Sequence, residues 1–440
     1  MSGRLVIEGG IVATMEQGDH PLPHGAVAVE GDRIVAVGER EGVLAAYPEA
    51  ERLDATSCLV LPGFVNAHTH LAMTLLRGAA DDLPLRDWLE HHIWPAERAL
   101  MDPATVALGT RLAAAESLLA GVTCVFDMYF HTETVAEVVA QVGLRAVIGE
   151  GLIDYPTPSA PTPADALAAQ RRLLERYRDH PLVTAGVAPH APYSVSAAYL
   201  VKEAELAEEF DAPLAIHVAE TRWEAETIRK EKGASPVRYL ADLGILSERT
   251  VAAHCVHVSE EDLDLLAEFG VGVAANPVSN LKLGSGVAPL PQMLARGLRV
   301  GLGTDGAASN NTLDLLRDAQ LAALLYKGLT GDPTCLPART VAELLTIGGA
   351  RALGLDARIG TLAVGKLADI VCLRLDTPHG TPLFDPFAHL AYAARAADVR
   401  HVLVGGRLVV RNGALATLDV DGIRAEVAGC LERIRQAASA

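Results

Sequence analysis

A pair of histidines at the end of an uncharged apolar run constrains this chain more than any other feature of its sequence. The run LPGFVNAHTH covers residues 61–70 and ends in His68 and His70. Such a run is typical of a buried parallel strand. Because residues i and i+2 of a strand point to the same side, both imidazoles are expected to face one spot. Two converging imidazoles supply half of the ligands of a zinc site.

Polar residues also stand at or just after the ends of later apolar runs. These residues are His190, His217, Glu220, His254 and Asp305. A polar group is unfavourable in a core strand unless it has a partner or faces an opening. In a barrel of parallel strands, functional groups collect at the C-terminal ends of the strands. The pattern therefore predicts a metal site at the mouth of a barrel.

The middle of the chain, from about 59 to 358, alternates candidate strands with helical patterns. The candidate strands are 59–68, 122–128, 145–153, 183–190, 213–220, 250–255, 271–277 and 298–305. Residues 104–121 and 196–210 are examples of the helical patterns between them. Eight β/α units predict an α/β fold, a distorted TIM (β/α)8 barrel. The alternative is a doubly wound sheet, which usually begins with a Gly-rich phosphate turn that is missing after the first strand.

Both ends of the chain carry short β-branched runs joined by tight turns, which are typical of antiparallel hairpins. These runs are 4–14, 26–38, 368–375 and 399–413. They predict a small β-sandwich domain built from both ends. The expected division is 1–58 with 359–418 for the small domain, 59–358 for the barrel and 419–440 for a C-terminal helix.

Composition narrows the class of partner. Lys and Arg number 37 against 55 Asp and Glu, a net charge of −18, which argues against nucleic acid as the main partner. The N-terminus lacks the apolar core of a signal peptide, and no run is apolar enough to predict a membrane span. The six cysteines are scattered without a CxxC pair, as expected for reduced thiols in a cytoplasmic protein. A homo-oligomer is compatible with this architecture, although no segment fixes a stoichiometry.

The residue types at the strand ends indicate the chemistry. Three histidines with one aspartate suit zinc, with iron or manganese as alternatives. The fourth candidate strand ends in Ala188-Pro189-His190 and offers no Lys or Cys to bridge two metals, so we expect one metal per subunit. Such a metal lowers the pKa of bound water toward neutrality. We expect Asp305 to accept the water's proton, His254 to orient the hydroxide and Glu220 to carry a proton to the substrate.

The chain resembles the amidohydrolase superfamily, and in particular its aminohydrolases acting on 5′-methylthioadenosine, S-adenosylhomocysteine and adenosine. The resemblance covers nearly the whole chain. The motifs that carry it are PGFVNAHTHLAMTLLRG (62–78), APHAPYSVS (188–196), IHVAET (216–221), AAHCVHVSEEDL (252–263), NPVSNLKLGSGVAP (276–289) and GLGTDGAASNNTLDLLRD (301–318).

The resemblance implies a role for each site residue and a reaction, the hydrolytic deamination of a purine nucleoside at C6. The implied metal ligands are His68, His70, His217 and Asp305. Glu220 matches the family's proton shuttle, and His254 matches the histidine that orients the hydroxide. The implied substrate contacts are Glu97 in IWPAE, for the ribose hydroxyls, His190, and Trp88 in the segment over the adenine.

One departure from the family pattern bears on the substrate. Members that take S-adenosylhomocysteine place an arginine near the end of the third strand, where the matching stretch here is VIGEGLID with Glu150. A glutamate there would repel the amino-acid carboxylate. The sequence therefore favours 5′-methylthioadenosine and adenosine over S-adenosylhomocysteine.

Other functions remain open on the same scaffold. A guanine or pterin deaminase and a triazine chlorohydrolase are the nearest alternatives. A non-enzymatic scaffold protein is a remote alternative, because such chains generally lose ligand residues and this one keeps all of those expected. The small cytidine-type zinc deaminases carry H-x-E and P-C-x-x-C motifs, which this sequence does not support.

Overall fold

The strands form two sheets within residues 3–438, the part of the chain that the computed structural model describes. One sheet is parallel and has eight strands, and the other is mixed and has nine. The strands are β1 (Arg4–Val12), β2 (Leu22–Glu30), β3 (Arg33–Glu39), β4 (Glu51–Asp54), β5 (Cys58–Pro62), β6 (Phe64–Thr69), β7 (Val122–Tyr129), β8 (Arg145–Leu152), β9 (Val183–Pro189), β10 (Leu214–Val218), β11 (Thr250–His254), β12 (Gly272–Ala275), β13 (Arg299–Leu302), β14 (Ile370–Arg374), β15 (Val399–Val404), β16 (Arg407–Arg411) and β17 (Ala414–Leu415).

Helices follow most strands of the parallel sheet, as a (β/α) barrel requires. They are α1 (Arg40–Ala46), α2 (Leu85–Trp88), α3 (Trp94–Leu100), α4 (Pro103–Leu119), α5 (Thr132–Val142), α6 (Pro163–Arg176), α7 (Ala197–Phe210), α8 (Arg222–Lys232), α9 (Pro236–Asp242), α10 (Glu260–Glu268), α11 (Pro277–Lys282), α12 (Leu290–Ala295), α13 (Ala307–Asn310), α14 (Leu315–Thr330), α15 (Ala338–Glu343), α16 (Gly349–Ala352), α17 (Pro386–Tyr392) and α18 (Val420–Ala438). Short 3-10 helices span Leu71–Leu76, Pro378–Gly380 and Ala396–Asp398, and π-helical turns span Leu89–Ile93 and Leu344–Gly348. No helix within residues 3–438 combines the length and apolarity needed to cross a bilayer.

The eight barrel strands pair in chain order from β6 to β13, and every pair is parallel. All of their C-terminal ends therefore lie at one end of the barrel. The strands are buried on both faces, which explains why they read as continuous apolar runs. The predicted barrel is confirmed.

The barrel closes between its first and last strands through bonds made mostly by polar groups. Asn66 receives a hydrogen bond from Thr304 N at 3.0 Å and donates one to Thr304 Oγ1 at 2.8 Å. Asp305 N donates to His68 O at 3.0 Å. A Cβ on Gly303 would come within 3.0 Å of His68 N, so this seam needs a glycine to bring its two sides together. The seam places Asp305 beside His68.

The predicted strand 59–68 is in fact two strands that belong to different sheets. β5 pairs with β14 in the mixed sheet, whereas β6 begins the barrel. Gly63 separates them, and a Cβ there would lie 2.1 Å from Thr123 Oγ1. Both strands are fully buried and the residues on either side of Gly63 are apolar, so hydrophobicity alone does not reveal the change of sheet.

The mixed sheet is built from both ends of the chain, as predicted. Its N-terminal and C-terminal strands share one apolar cluster. Representative members of that cluster are Ile7, Val27, Leu53, Ile370 and Leu403. A buried ion pair joins this domain to the barrel, where Arg145 Nε donates to Asp369 Oδ2 at 2.7 Å.

The predicted C-terminal helix is present as α18, which packs on α3 and α4. Its buried side chains are Ile423, Ile434 and Ala437. Arg433 Nη2 donates to Asp102 Oδ2 at 2.7 Å. Burial alone would raise the pKa of this carboxylate, but its hydrogen bonds outweigh burial and lower the pKa to about 2. The helix therefore lies against this chain's own barrel.

Candidate active site

The polar residues predicted at the strand ends meet at the C-terminal mouth of the barrel. His68 lies in β6, His217 in β10, and His254 is the last residue of β11. His70, Glu220 and Asp305 follow the ends of β6, β10 and β13. His68, His217 and His254 are at most 5% exposed, so the site is closed to bulk water.

The nitrogen and oxygen atoms of this cluster converge. His68 Nε2 lies 3.2 Å from His217 Nε2. Asp305 Oδ1 lies 3.1 Å from His70 Nε2 and 3.6 Å from His68 Nε2. Two overlapping groups, His68 with His217 and His254, and His68 with His70 and Asp305, each have donor atoms within 4.8 Å of one another. The structure thus contains a histidine-rich group that can hold a metal ion.

Hydrogen bonds on the far side of each ring fix which nitrogen faces the cluster. His217 Nδ1 lies 2.8 Å from His190 O, and His254 Nδ1 lies 2.8 Å from Asn280 Oδ1. His70 Nδ1 bonds to Met128 O. An Nδ1 that donates to an oxygen leaves the Nε2 lone pair free to bind a metal. The ring orientations therefore fit metal ligation.

Asp305 accepts hydrogen bonds from three donors and has a strained backbone conformation. Its φ is 63°, in the left-handed region. Ser279 Oγ and Ser309 Oγ donate to Oδ2 at 2.6 and 2.9 Å, and Gly306 N donates to Oδ1 at 2.8 Å. His70 approaches the same Oδ1, so one carboxylate oxygen is anchored by serines while the other faces the histidines.

Burial and mutual contacts shift the pKa values of the clustered groups. Burial lowers the pKa of His68 to about 4 and that of His217 well below its usual value. Although burial opposes it, hydrogen bonding from His68 and His70 and the charge of His70 hold the pKa of Asp305 well below its usual value. Asp305 in turn overcomes burial and raises the pKa of His70 to about 9. An ionised carboxylate among mostly neutral imidazoles suits a divalent cation such as zinc.

Glu220 and His254 face each other beside the histidine group. Glu220 Oε2 lies 3.7 Å from His254 Nε2, and both side chains are buried. Burial, reinforced by the negative charge of Asp305, raises the pKa of Glu220 to about 8. A carboxyl group with this pKa keeps its proton at neutral pH and can donate it.

The predicted substrate residues line one inner cavity with the histidine group. Trp88, Glu97 and His190 all border this cavity. Tyr129 Oη donates to Glu97 Oε1 at 2.7 Å, and burial raises the pKa of Glu97 to about 7. The indole N–H of Trp88 is buried and has no partner among residues 3–438, so it is available to a ligand. The structure brings these three residues together with the metal-type cluster.

A larger outer cavity of about 620 Å³ adjoins the inner one. Trp94, Glu97, Phe130, Ile153 and Tyr193 border both cavities. The run of helix from 85 to 100, which contains α2, a π-helical turn and α3, lines one side of the inner cavity. Glu97 therefore stands at the passage between the inner and outer cavities.

The expectation that Glu150 would meet a substrate carboxylate is wrong. Its carboxylate accepts bonds from Thr132 N at 3.0 Å, from Thr132 Oγ1 at 2.5 Å and from Ser159 Oγ. The cavity is bordered by Gly151, not by Glu150. Because successive residues of a strand face opposite sides, Glu150 points out of the barrel toward the surrounding loops.

Several residues that shape the site were not identified from the sequence. They are Ser279 on α11, Ser309 on α13, Glu224 on α8 and Tyr129 at the end of β7. Each acts on a predicted residue through a hydrogen bond. The only local signals were the motif NPVSN and a glutamate four positions after Glu220, which do not by themselves indicate a partner.

Comparison with known proteins matches most of the chain. The Amidohydrolase family matches residues 59–409, and an imidazolonepropionase-like composite domain of bacteria matches residues 25–50. The chain is 45% identical over 431 residues to a 5-methylthioadenosine/S-adenosylhomocysteine deaminase from Syntrophobacter fumaroxidans, covering 98% of this chain and 97% of that protein.

Solved structures share the same architecture. The crystal structure of an adenosine deaminase from Xanthomonas campestris with bound zinc superposes with a TM-score of 0.96 at 40% identity, covering 98% of each chain. An atrazine chlorohydrolase from Arthrobacter aurescens in complex with zinc superposes with a TM-score of 0.89 at 26% identity, covering 97% of this chain and 100% of that one. Both neighbours hold zinc.

Proposed function

The chain belongs to the amidohydrolase family, and we propose that it is a zinc-dependent deaminase that hydrolyses the 6-amino group of purine nucleosides. The observation that carries this proposal is the meeting of His68, His70, His217 and Asp305 beside Glu220 at the mouth of the barrel. The substrates named for the similar deaminases are 5-methylthioadenosine, S-adenosylhomocysteine and adenosine. We assign these three nucleosides to this chain as its substrate class.

The proposed ligands of one zinc ion are His68, His70, His217 and Asp305, with iron or manganese as alternative metals. When bound, the metal supplies Lewis acidity that makes water a nucleophile near neutral pH. His254 is kept out of the proposed ligand set because its Nε2 faces Glu220 at 3.7 Å. From there it orients the attacking water by a hydrogen bond.

Two carboxyl groups move protons in the proposed reaction. Glu220 donates a proton to N1 of the purine, which makes C6 electrophilic enough for water to add. Asp305 takes the proton of the attacking water on the oxygen that faces the histidines, while its other oxygen stays anchored by Ser279 and Ser309. Asp305 then returns that proton to the amino group at C6, which leaves as ammonia, while the hydroxyl proton of the C6 adduct passes to Glu220, so that the hypoxanthine product forms and Glu220 regains its proton.

Three residues hold the nucleoside in this proposal. Glu97 Oε1 already accepts a hydrogen bond from Tyr129, so Glu97 Oε2 is the oxygen that accepts hydrogen bonds from the ribose hydroxyls. His190 presents its ring to the base from the end of β9, and Trp88 covers the purine from α2. The charge-assisted contact between carboxylate and ribose favours a nucleoside over a free base or a triazine.

The 5′ substituent is expected to enter the outer cavity. Glu97 borders both cavities, so a ribose bound there with its base at the histidine group directs its 5′ carbon outward. The outer cavity of about 620 Å³ has room for groups much longer than methylthio. Because Glu150 faces away, the argument against S-adenosylhomocysteine loses its physical basis, and we include this nucleoside among the substrates.

An ultraviolet assay tests the proposal directly. Zinc-loaded protein is incubated in parallel with 5′-methylthioadenosine, adenosine and S-adenosylhomocysteine, and the adenine-to-hypoxanthine spectral change is followed. We expect turnover of all three, and loss of several orders of magnitude in rate for E220Q with zinc content unchanged. No turnover of any nucleoside, with turnover of guanine, a pterin or a triazine instead, would contradict the proposal.

A further inference from the structure

A buried glutamate that the proposed reaction does not use lies directly behind Glu220. Glu224 is 1% exposed although it carries a carboxylate, and it stands in the first turn of α8. A buried carboxylate is costly unless its oxygens have partners. Its partners are therefore informative about its purpose.

Both oxygens of Glu224 bind the backbone of the turn that carries Glu220. Ala219 N donates to Glu224 Oε1 at 2.8 Å, and Glu220 N donates to Oε2 at 2.8 Å. Ala219 has a φ of 51°, a left-handed conformation that an alanine rarely adopts. Two charge-assisted bonds to adjacent amides hold this strained peptide in one orientation.

The N-terminus of α8 is capped without the two hydrogen bonds to the Glu224 carboxylate. Thr221 is the N-cap residue, and its Oγ1 accepts a hydrogen bond from Glu224 N at 3.2 Å. The helix ends in the ordinary way at Gly233, which has a φ of 75°. The carboxylate of Glu224 instead reaches back past the cap to residues 219 and 220.

We infer that Glu224 is a positioning residue, which fixes the Ala219–Glu220 backbone so that the Glu220 carboxyl group meets the substrate. The inference rests on the proposed function only for the identity of the reaction. Glu224 does not border the inner cavity, so it acts through Glu220 rather than on the substrate.

The substitution E224Q keeps the size of the side chain and removes its ability to accept two N–H groups. The new amide nitrogen would oppose one of the two backbone donors, which forces the turn to move. A misplacement of about 1 Å in a catalytic group can cost up to about 100-fold in rate. We expect kcat to fall by about 10- to 100-fold while KM and zinc content stay close to those of the native protein.

A double-mutant cycle separates positioning from a general structural role. In an E220Q background, E224Q should lower the residual rate by less than twofold, because the residue it positions is already inactive. The matched control is E226Q, which removes the same charge from the exposed side of the same helix and should leave kcat unchanged. An equal loss from E224Q in both backgrounds would overturn the inference.

A crystal structure of the zinc-loaded E224Q protein provides a readout that does not depend on turnover. We expect the 219–220 peptide to rotate and the Glu220 carboxyl group to leave the cavity, with the histidine group unmoved. An unmoved Glu220 would refute positioning even if the nucleosides were the wrong substrates. If E224Q does not fold or loses zinc, Glu224→Asp replaces it, because a shorter carboxylate keeps the charge but cannot reach both amides; the same shift of Glu220 is expected.

Discussion

The buried ion pair between Arg145 and Asp369 joins the barrel to the small sheet, and its removal should destabilise the whole chain. Arg145 Nε lies 2.7 Å from Asp369 Oδ2, and Nη2 lies 2.9 Å from Oδ1. The two side chains are 4% and 2% exposed. Gly405 N donates to the same carboxylate at 2.7 Å, and Arg145 also donates to Pro181 O at 2.9 Å. The pair is therefore fully hydrogen-bonded in a site that water does not reach.

The substitution D369N leaves the guanidinium group buried without its counter-charge. Loss of one partner from a buried, hydrogen-bonded pair typically costs about 3–5 kcal/mol. We expect the free energy of unfolding to fall by an amount in that range, measured by urea titration with circular dichroism. The matched control is E209Q, because Arg171 and Glu209 also pair through two bonds of 2.6 Å but are 45% and 52% exposed. Solvent screens that pair, so its midpoint should not change.

Replacing both members of the buried pair separates lost charge from lost packing. The double variant R145M/D369L buries no charge, and we expect it to be more stable than D369N. The double variant still loses some stability, because the Gly405 N–H no longer has an acceptor. Equal shifts for D369N and E209Q, or a double variant less stable than D369N, would refute the reasoning that burial decides the strength of this pair.

Other changes test the site and its surroundings. Replacement of Ser279 and Ser309 by alanine removes both donors to Asp305 Oδ2 and should weaken zinc binding by about 10- to 100-fold, measured by chelator competition. Arg98 borders the outer cavity and makes no hydrogen bond or ion pair within residues 3–438, so R98Q should raise the KM for S-adenosylhomocysteine more than that for 5′-methylthioadenosine. Burial lowers the pKa of His401 from 6.5 to about 4 in the folded chain. Between pH 6.5 and pH 4, His401 is therefore protonated in the unfolded chain but not in the folded chain. Stability should therefore fall between pH 6.5 and pH 4, and His401→Asn should flatten that part of the unfolding profile. Chelation of the metal should abolish deamination, and added zinc should restore it; activity that survives full metal removal would contradict the proposed chemistry.

The barrel and the convergence of its polar residues could be predicted because two local patterns coincide. The apolar runs identify buried parallel strands, and the polar residues at their ends share one edge of any parallel sheet. His68, His217 and His254 needed no knowledge of tertiary contacts to be placed at that edge. The sequence period of a strand also predicted that His68 and His70 would face one spot.

Two predictions were wrong because the sequence of a fully buried strand does not reveal which sheet the strand joins or which way its side chains point. Residues 59–65, on both sides of Gly63, are apolar, so the change of sheet leaves no trace in hydrophobicity. Glu150 lies in β8, which is buried on both faces and shows no alternation that would tell the inner side from the outer. A one-residue error in register reverses the direction of a side chain, and that reversal moved Glu150 from the cavity wall in the prediction to the outside of the barrel in the structure.

The residues that aim the site are harder to find in a sequence than the residues that form it. His254 and Asp305 have φ values of 71° and 63°, conformations that cost about 1–3 kcal/mol each unless the surroundings stabilise them. Asn280 stabilises the first across 26 positions of the chain, and Ser279 stabilises the second across the same separation. Glu224 does the same for Ala219 from the next helix. The strained backbone conformations at the strand ends are therefore stabilised by hydrogen bonds from distant residues. The side chains point inward only after the loops have packed. A reading of local patterns can locate such side chains, whereas the direction in which they point depends on partners that only the fold brings near.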